Sequence, residues 1–186
     1  IDPLHGIDYA DGVRAALRQD PDVILIGEIR DPDSARMAWR ASMTGHRVLS
    51  TVHATSATAV VPRLADLGVS RGLIASQLAA VVSQRLLRRL CDHCTPDTTP
   101  PVADAVGCDA CQGRGYRGRF AVVEVLYFDD AVRDATELNR PLRGALEATG
   151  FVTLAQRAWR AVCTGRTTVA EYRRVFGLPP LALSCD

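Results

Sequence analysis

Lysine is absent from the chain: all 22 basic residues are arginine. A phosphate-binding loop of the G-x-x-x-x-G-K-[ST] kind needs a lysine to reach the β- and γ-phosphates, so these 186 residues hold no such loop. Long apolar runs are missing as well. No stretch of 18 apolar residues occurs, nor a charged start followed by an apolar segment, which argues against a membrane-spanning helix or a secretory leader. Aromatic residues make up only 5% of the chain, leaving little stacking surface for single-stranded nucleic acid. Net charge is +1 with a pI of about 7.8, so no strong field draws nucleic acid or an anionic membrane. There is no internal repeat and no initiator methionine. The chain opens at Ile1 in "IDPLHGIDYADGV" and reads as cut from something longer, whose missing part is expected to hold what is absent here. What is present is 47% hydrophobic over 186 residues, enough for one good core with a small satellite domain.

The pattern along the chain alternates helix and strand, which argues for an α/β layer architecture. Val13, Ala16 and Leu17 lie at helical spacing between Tyr9 and Gln19, and Asp20-Pro21 ends the pattern. Val23 to Glu28 reads as a buried parallel strand, short and β-rich between turn residues. "DPDSARMAWRASMTG" predicts a helix opened by Asp31-Pro32 and closed at Gly45. "HRVLSTVH" alternates as a strand, and the cap-like Thr55 or Ser56 begins another helix. Residues 70–89 predict a helix and then a strand around Gln84 to Leu90. "FAVVEVLYF" is a further strand, and helices follow at about 131–136, 140–149, 153–163 and 168–176, punctuated by Pro141, Gly150, Gly165 and Gly177.

Composition changes at Cys91, where "CDHCTPDTTPPVADAVGCDACQGRGYRGR" is rich in Pro, Gly, Thr and Asp. Cys91-x-x-Cys94 and Cys108-x-x-Cys111 are separated by 13 residues. Two C-x-x-C knuckles at that separation suit a tetrahedral zinc ion, and four thiolates saturate it, which points to a structural and not a catalytic metal. The polar loop between them has little to order itself, so the metal would supply much of its stability. The alternative is four small core residues, against which the Pro/Gly-rich surroundings weigh. His93 is a bystander to this set. Cys163 and Cys185 are expected to be unpaired, packed on a helix or exposed in the tail.

Glu28 closes an apolar strand. A carboxylate there fits a Walker-B-like role at the carboxyl edge of a parallel sheet, holding magnesium through water or polarising the attacking water. A surface ion pair with Arg30 is the alternative, and the residues alone leave both open. His46 and His53 bracket the second strand, seven positions apart, and so point to opposite faces of an ideal strand, which makes a joint metal site a poor fit. Either one is of a type that can meet a γ-phosphate from a loop; a satisfied structural histidine is the competing reading for each.

In order, "LRQDPDVILIGEIRD", "ASMTGHRVLSTVHATSA", "RLADLGVSRGLIASQLAAVVSQRLLRRLCDHC", "GCDACQGRGYRGRFAVVEVL" and "TLAQRAWRAVCTGRTTVAEYRRV" resemble the carboxy-terminal portion of the secretion ATPases of type II secretion and type IV pilus assembly. The similarity is greatest to the subgroup bearing four cysteines. It implies an α/β, RecA-like ATPase core, here its carboxy-terminal part with a parallel-containing sheet flanked by helices, over 1–90. A tetracysteine zinc element with its following strand then spans 91–127, and a helical region 128–186. It implies Glu28 as the Walker B carboxylate behind Gly27, and His46 and His53 as nucleotide-sensing histidines of "TGHRVLSTVH", with His53 the nearer to the γ-phosphate. Arg30 would order the same edge, and Cys91, Cys94, Cys108 and Cys111 would hold structural Zn2+. ATP and Mg2+ would be the cofactors of the full-length protein, a homo-hexamer working on inner-membrane platform proteins from the cytoplasmic face of the bacterial inner membrane. The family's phosphate loop and Asp box lie upstream of Ile1, so this chain alone is expected to be inactive. "HATSA" stands where "HTNSA" is commoner, and the segment between the cysteine pairs is short for the family.

Two other classes compete. One is a non-catalytic, zinc-stabilised interaction module that docks to a membrane protein, favoured by the missing lysine and phosphate loop. The other is a zinc-ribbon nucleic-acid binder, resting only on Arg85, Arg88, Arg89, Arg114, Arg117 and Arg119.

Overall fold

The computed structural model describes residues 12, 15, 18–95, 101, 104–178 and 185. The helix expected over 9–19 falls largely outside them. The fold divides into two compact units: Ile1–Val81 with Leu126–Gly150, and Val82–Val125 with Phe151–Asp186.

In the first unit, β1 (Val23–Ile26) buries Ile24 and Ile26 and leaves Val23 and Leu25 exposed. The strand stops two residues short of Glu28. Helix α1 (Pro32–Met43) starts at a reciprocal cap: Asp31 Oδ1 accepts the Ser34 N–H at 2.7 Å, and Ser34 Oγ accepts the Asp31 N–H at 3.3 Å. Pro32 occupies the first helical position, where no N–H is needed. Gly45, at φ +96°, takes the left-handed turn that ends the helix. Strand β2 (Arg47–Ser50) then pairs parallel to β1, from Val23↔Arg47 to Ile26↔Ser50. A helix between two parallel strands is the βαβ unit that the alternating pattern predicts.

Helix α2 (Val60–Asp66) begins later than Thr55 or Ser56. Ser56 Oγ accepts the Ala59 N–H at 3.2 Å and meets Thr58 Oγ1 at 3.0 Å, so the hydroxyl closes a turn instead of opening the helix. At α3 (Arg71–Gln77) the Ser70 hydroxyl does cap, accepting the Leu73 N–H at 3.3 Å. Strand β3 (Ala80–Leu90) starts four residues before Gln84, and it pairs with β4 (Tyr116–Tyr127) in a second two-stranded sheet. Just outside these strands, the Phe128 N–H donates to Ala79 O at 3.0 Å. Helix α4 (Asp130–Glu137), capped by Asp129, packs against α3, and the Arg133 guanidinium donates to Ala75 O. Trp39 of α1 donates its indole N–H to Leu73 O at 3.3 Å. Helix α5 (Arg143–Ala148) buries none of its residues.

The second unit packs α6 (Leu154–Cys163) and α7 (Val169–Phe176) on the sheet. Leu87, Phe120, Val122, Leu154, Ala158, Val162 and Tyr172 form its core. Tyr172 meets Trp159 edge-on at 5.3 Å and stacks on Phe176 at 5.2 Å. Into this core α7 carries a carboxylate, Glu171, which is fully buried. Arg88 meets it through both its backbone N–H (2.8 Å) and its guanidinium Nε (2.7 Å), and Arg174 through Nε (2.7 Å) and Nη2 (2.8 Å). Thr167 Oγ1 donates to Arg88 O at 2.8 Å, and the Leu90 N–H donates to Arg166 O at 3.0 Å, which ties the α6–α7 link to β3. Cys163 and Cys185, expected to be unpaired, are joined by a disulfide. Their two Cα atoms are 5.3 Å apart, and Cys163 is the last residue of α6.

Burial works against the Glu171 carboxylate, yet its bonds to Arg174 and Arg88 outweigh it and bring its pKa down to about 2 from the usual 4.5. A carboxyl lowered by folding gives stability that is complete above the unfolded pKa and is lost as the pH falls. Urea unfolding followed from pH 6 to pH 2 should therefore show this contribution disappearing between about 4.5 and about 2. Glu171→Ala leaves the Arg88 backbone N–H without its acceptor, while the two guanidinium groups can turn to water, and should cost about 1–3 kcal/mol at pH 7 in the same assay.

Candidate functional site

Parallel pairing brings the carboxyl ends of β1 and β2 to one edge of the sheet, and Glu28 and His53 leave the strands there. His53 Nε2 lies 2.9 Å from Glu28 Oε1, and Arg30 Nε lies 2.5 Å from the same oxygen. Both nitrogens thus converge on one buried carboxylate oxygen. Arg30 lowers the Glu28 pKa through its close side-chain contact, and His53 lowers it further, against the opposing effect of burial. His53 itself is 85% exposed.

The backbone on both sides of Glu28 is fixed. Thr51 O accepts the Ile29 N–H at 2.9 Å, and Thr51 Oγ1 donates to Gly27 O at 2.8 Å. Three residues on, the Asp31 cap begins α1, and the Ser34 N–H that it accepts holds the Asp31 pKa below the ordinary value of 3.8. Gly27 has no positive φ, and no described atom lies within 4 Å of the Cβ that another residue would place there. Its own backbone does not require a glycine. The space in front of it is open.

His46 is not brought to this cluster. It precedes β2 and so stands at the opposite edge of the sheet, beside a polar cleft lined by Asp20, Asp22, Thr44 and Arg47. Its Nδ1 lies 3.1 Å from Ala41 O and 3.0 Å from Thr44 Oγ1, at the end of α1. Asp31 caps α1 as its place before Pro32 predicts, and Thr51 is the residue of this edge to which the sequence motifs assign no role. The signal for Thr51 was available: a hydroxyl one step beyond the last residue of a parallel strand, level with the carboxylate of its neighbour.

In the second unit the four thiols of Cys91, Cys94, Cys108 and Cys111 gather with all sulfurs within 4.8 Å of one another. The Cys91–Cys108 separation is 4.0 Å, and those of Cys94–Cys111 and Cys108–Cys111 are 3.8 Å. A tetrahedron with Zn–S bonds of about 2.3 Å has sulfurs about 3.8 Å apart, so the donor set fits zinc. Burial opposes a Cys111 thiolate, but the N–H groups of Cys108 (3.2 Å) and Gly115 (3.1 Å) outweigh it and bring the thiol down to about 6. Burial pushes Cys94 up to about 12, which is the cost that a cation would remove. Two glycines are required here. A Cβ on Gly107 (φ +112°) would stand 2.5 Å from Gly113 O, and one on Gly115 (φ +70°) 2.4 Å from Ala105 Cβ. The Cys91 N–H donates to Gly115 O at 3.0 Å, fastening the second knuckle to the end of β3. Of the arginines that prompted a nucleic-acid reading, Arg88 is committed to Glu171 and lies 4.0 Å over the Tyr116 ring, and Arg114 donates to Cys111 O at 3.1 Å.

A family model described as "Type II/IV secretion system protein" matches residues 1–174. Over 170 residues the chain is 44% identical to the type II secretion system protein HxcR of Pseudomonas aeruginosa, covering 90% of this chain and 36% of HxcR. It is 41% identical to the type II secretion system protein E of Klebsiella pneumoniae (95% and 39% covered) and 34% identical to the type IV pilus assembly ATPase PilB of Thermus thermophilus (92% and 22%). Among solved structures, the pilus retraction motor PilT with bound ADP superposes with a TM-score of 0.71 at 27% identity, over 92% of this chain and 44% of PilT. The ATPase DotB of Legionella pneumophila shares the fold, with a TM-score of 0.65 at 22% identity over 90% of this chain and 42% of DotB. The chain belongs to the type II/IV secretion system protein family, and its fold is α/β and RecA-like. It spans less than two-fifths of the length of HxcR and of the Klebsiella protein E that it matches. No helix among the described residues is long and apolar enough to cross a membrane.

Removing the Asp31 carboxylate tests how firmly this edge is set. Asp31→Ala should lower stability by about 1 kcal/mol, the usual worth of an N-cap, measured by chemical denaturation.

Proposed function

We propose that this chain is the carboxy-terminal part of the ATP-hydrolysing engine of a hexameric secretion or pilus-assembly motor. One observation carries the reading: a buried carboxylate oxygen on Glu28, met by Arg30 and by an exposed histidine, at the carboxyl edge of a parallel sheet. Magnesium bound with ATP would neutralise charge on the β- and γ-phosphates. Glu28 would hold a metal-bound or attacking water at Oε1, with Arg30 fixing the carboxylate in its ionised form. Gly27 leaves room for the phosphates to approach. His53 would leave Glu28 for the γ-phosphate, so that hydrolysis is felt by the loop that carries it. His46 takes an indirect part in sensing, anchoring the start of the strand that ends at His53. A phosphate loop from a preceding segment is needed, so the chain by itself does not turn over ATP. The ring, its membrane-platform partners and its place at the inner-membrane surface belong to this proposal.

Zinc has a structural place in it. Cys91, Cys94, Cys108 and Cys111 would fill its coordination and leave no open position for chemistry. Elemental analysis should find one zinc per chain, and chelation should expose four titratable thiols and lower the unfolding temperature. Protein that holds no zinc while all four thiols react would end the assignment. Gly115→Ala should cost about 1 kcal/mol or more and weaken zinc retention, because both its φ and its contact with Ala105 exclude a side chain.

The decisive assay is magnesium-dependent ATP hydrolysis by this chain beside a form extended upstream to include the phosphate loop. Activity in the extended form alone supports the motor. Absence of activity in a folded, assembled extended form favours the zinc-stabilised docking module instead. In the active form, Glu28→Gln should lower kcat by about a hundredfold or more, as loss of a water-positioning carboxylate does, with ATP binding changed far less.

A further inference from the structure

We propose that Thr51 is a positioning residue for the hydrolytic carboxylate, acting through the backbone on either side of Glu28; this rests on the reading of Glu28 given above. The β1–β2 ladder ends at Ile26↔Ser50. Beyond it the chain from Gly27 to Ile29 is not in a strand, and a segment of that kind next to a functional carboxylate needs some other restraint. Thr51 supplies it from one residue. Its carbonyl takes the Ile29 N–H at 2.9 Å, and its hydroxyl gives to Gly27 O at 2.8 Å. Glu28 is therefore the middle residue of a bridge held at both ends. Two residues along the same chain, His53 reaches Glu28 Oε1 at 2.9 Å, so one short stretch sets both the carboxylate and the ring beside it.

The two bonds differ in what a mutation can reach. Any residue at 51 keeps the carbonyl; only a hydroxyl keeps the bond to Gly27 O. Valine has the shape of threonine without the donor, and serine has the donor without the methyl group. Thr51 is exposed, and removing its hydroxyl opens no core cavity. Without the bond, the Gly27 carbonyl is free to rotate and Glu28 loses its fixed direction toward the water it holds. Nucleotide binding depends chiefly on the phosphate loop and is spared.

The experiment uses the full-length protein with Thr51→Val, Thr51→Ser and Glu28→Gln. We expect Thr51→Val to lower kcat about tenfold, the worth of one well-aligned hydrogen bond, with KM for ATP within about twofold, and Thr51→Ser to return to within about twofold of the parent. Hydrogen exchange read on the peptide covering residues 27–30 should speed up in Thr51→Val and not in Thr51→Ser. Unchanged kcat in Thr51→Val, or equal loss in the valine and serine variants, overturns the proposal. If the parent protein hydrolyses no ATP, the reading of Glu28 fails by itself. The exchange rates then decide for Thr51: faster exchange in the valine form alone supports the bridge, and unchanged exchange removes it.

Discussion

Two parallel strands of four residues each set the direction of everything in the first unit. In a parallel pair the carboxyl ends coincide, so whatever follows each strand arrives at the same edge. Glu28 follows β1 and His53 follows β2, and this alone brings them to 2.9 Å although 24 residues separate them in the chain. The same constraint sends His46, which precedes β2, to the other edge. Two histidines of one motif are thereby assigned to different places by strand polarity.

The second unit depends on a different kind of restraint. A buried glutamate is met by one backbone N–H and two guanidinium groups, from β3 and from its own helix. Such a cluster is an expensive way to gain stability compared with apolar packing, and its better use is to fix register. Here it sets α7 against β3 at Arg88, three residues before Cys91, the first of the four clustered cysteines. The Thr167–Arg88 and Leu90–Arg166 bonds act at the same point. The four-thiol centre is thus rooted in a strand whose position the terminal helices determine.

Much of this was readable from the residues. Asp31-Pro32 ahead of a helical pattern and the two C-x-x-C pairs each carry a local physical signal, and each lies where that signal places it; the strand read from Val23 to Glu28 begins there and ends two residues early, at Ile26. The failures are equally specific. Ser56 has the chemistry of a cap, but its hydroxyl is used by a turn that precedes the helix. The apolar run before Gln84 suits a strand or a helix, and only its pairing in the sheet decides. The Cys163–Cys185 bond and the Arg88–Glu171 pair join distant positions for which spacing offers no rule. A hint for Glu171 did exist: it shares the apolar face of α7 with Tyr172 and Val175, where a carboxylate must find cations.

The contact of Arg88 with Glu171 uses the main chain of the strand as well as its side chain. Shear between helix and strand would break several short bonds at once, because none of them can lengthen while the others hold. The joint therefore has little compliance: a pull along α7 reaches β3, and through it the cysteine knuckles, as displacement and not as stretch.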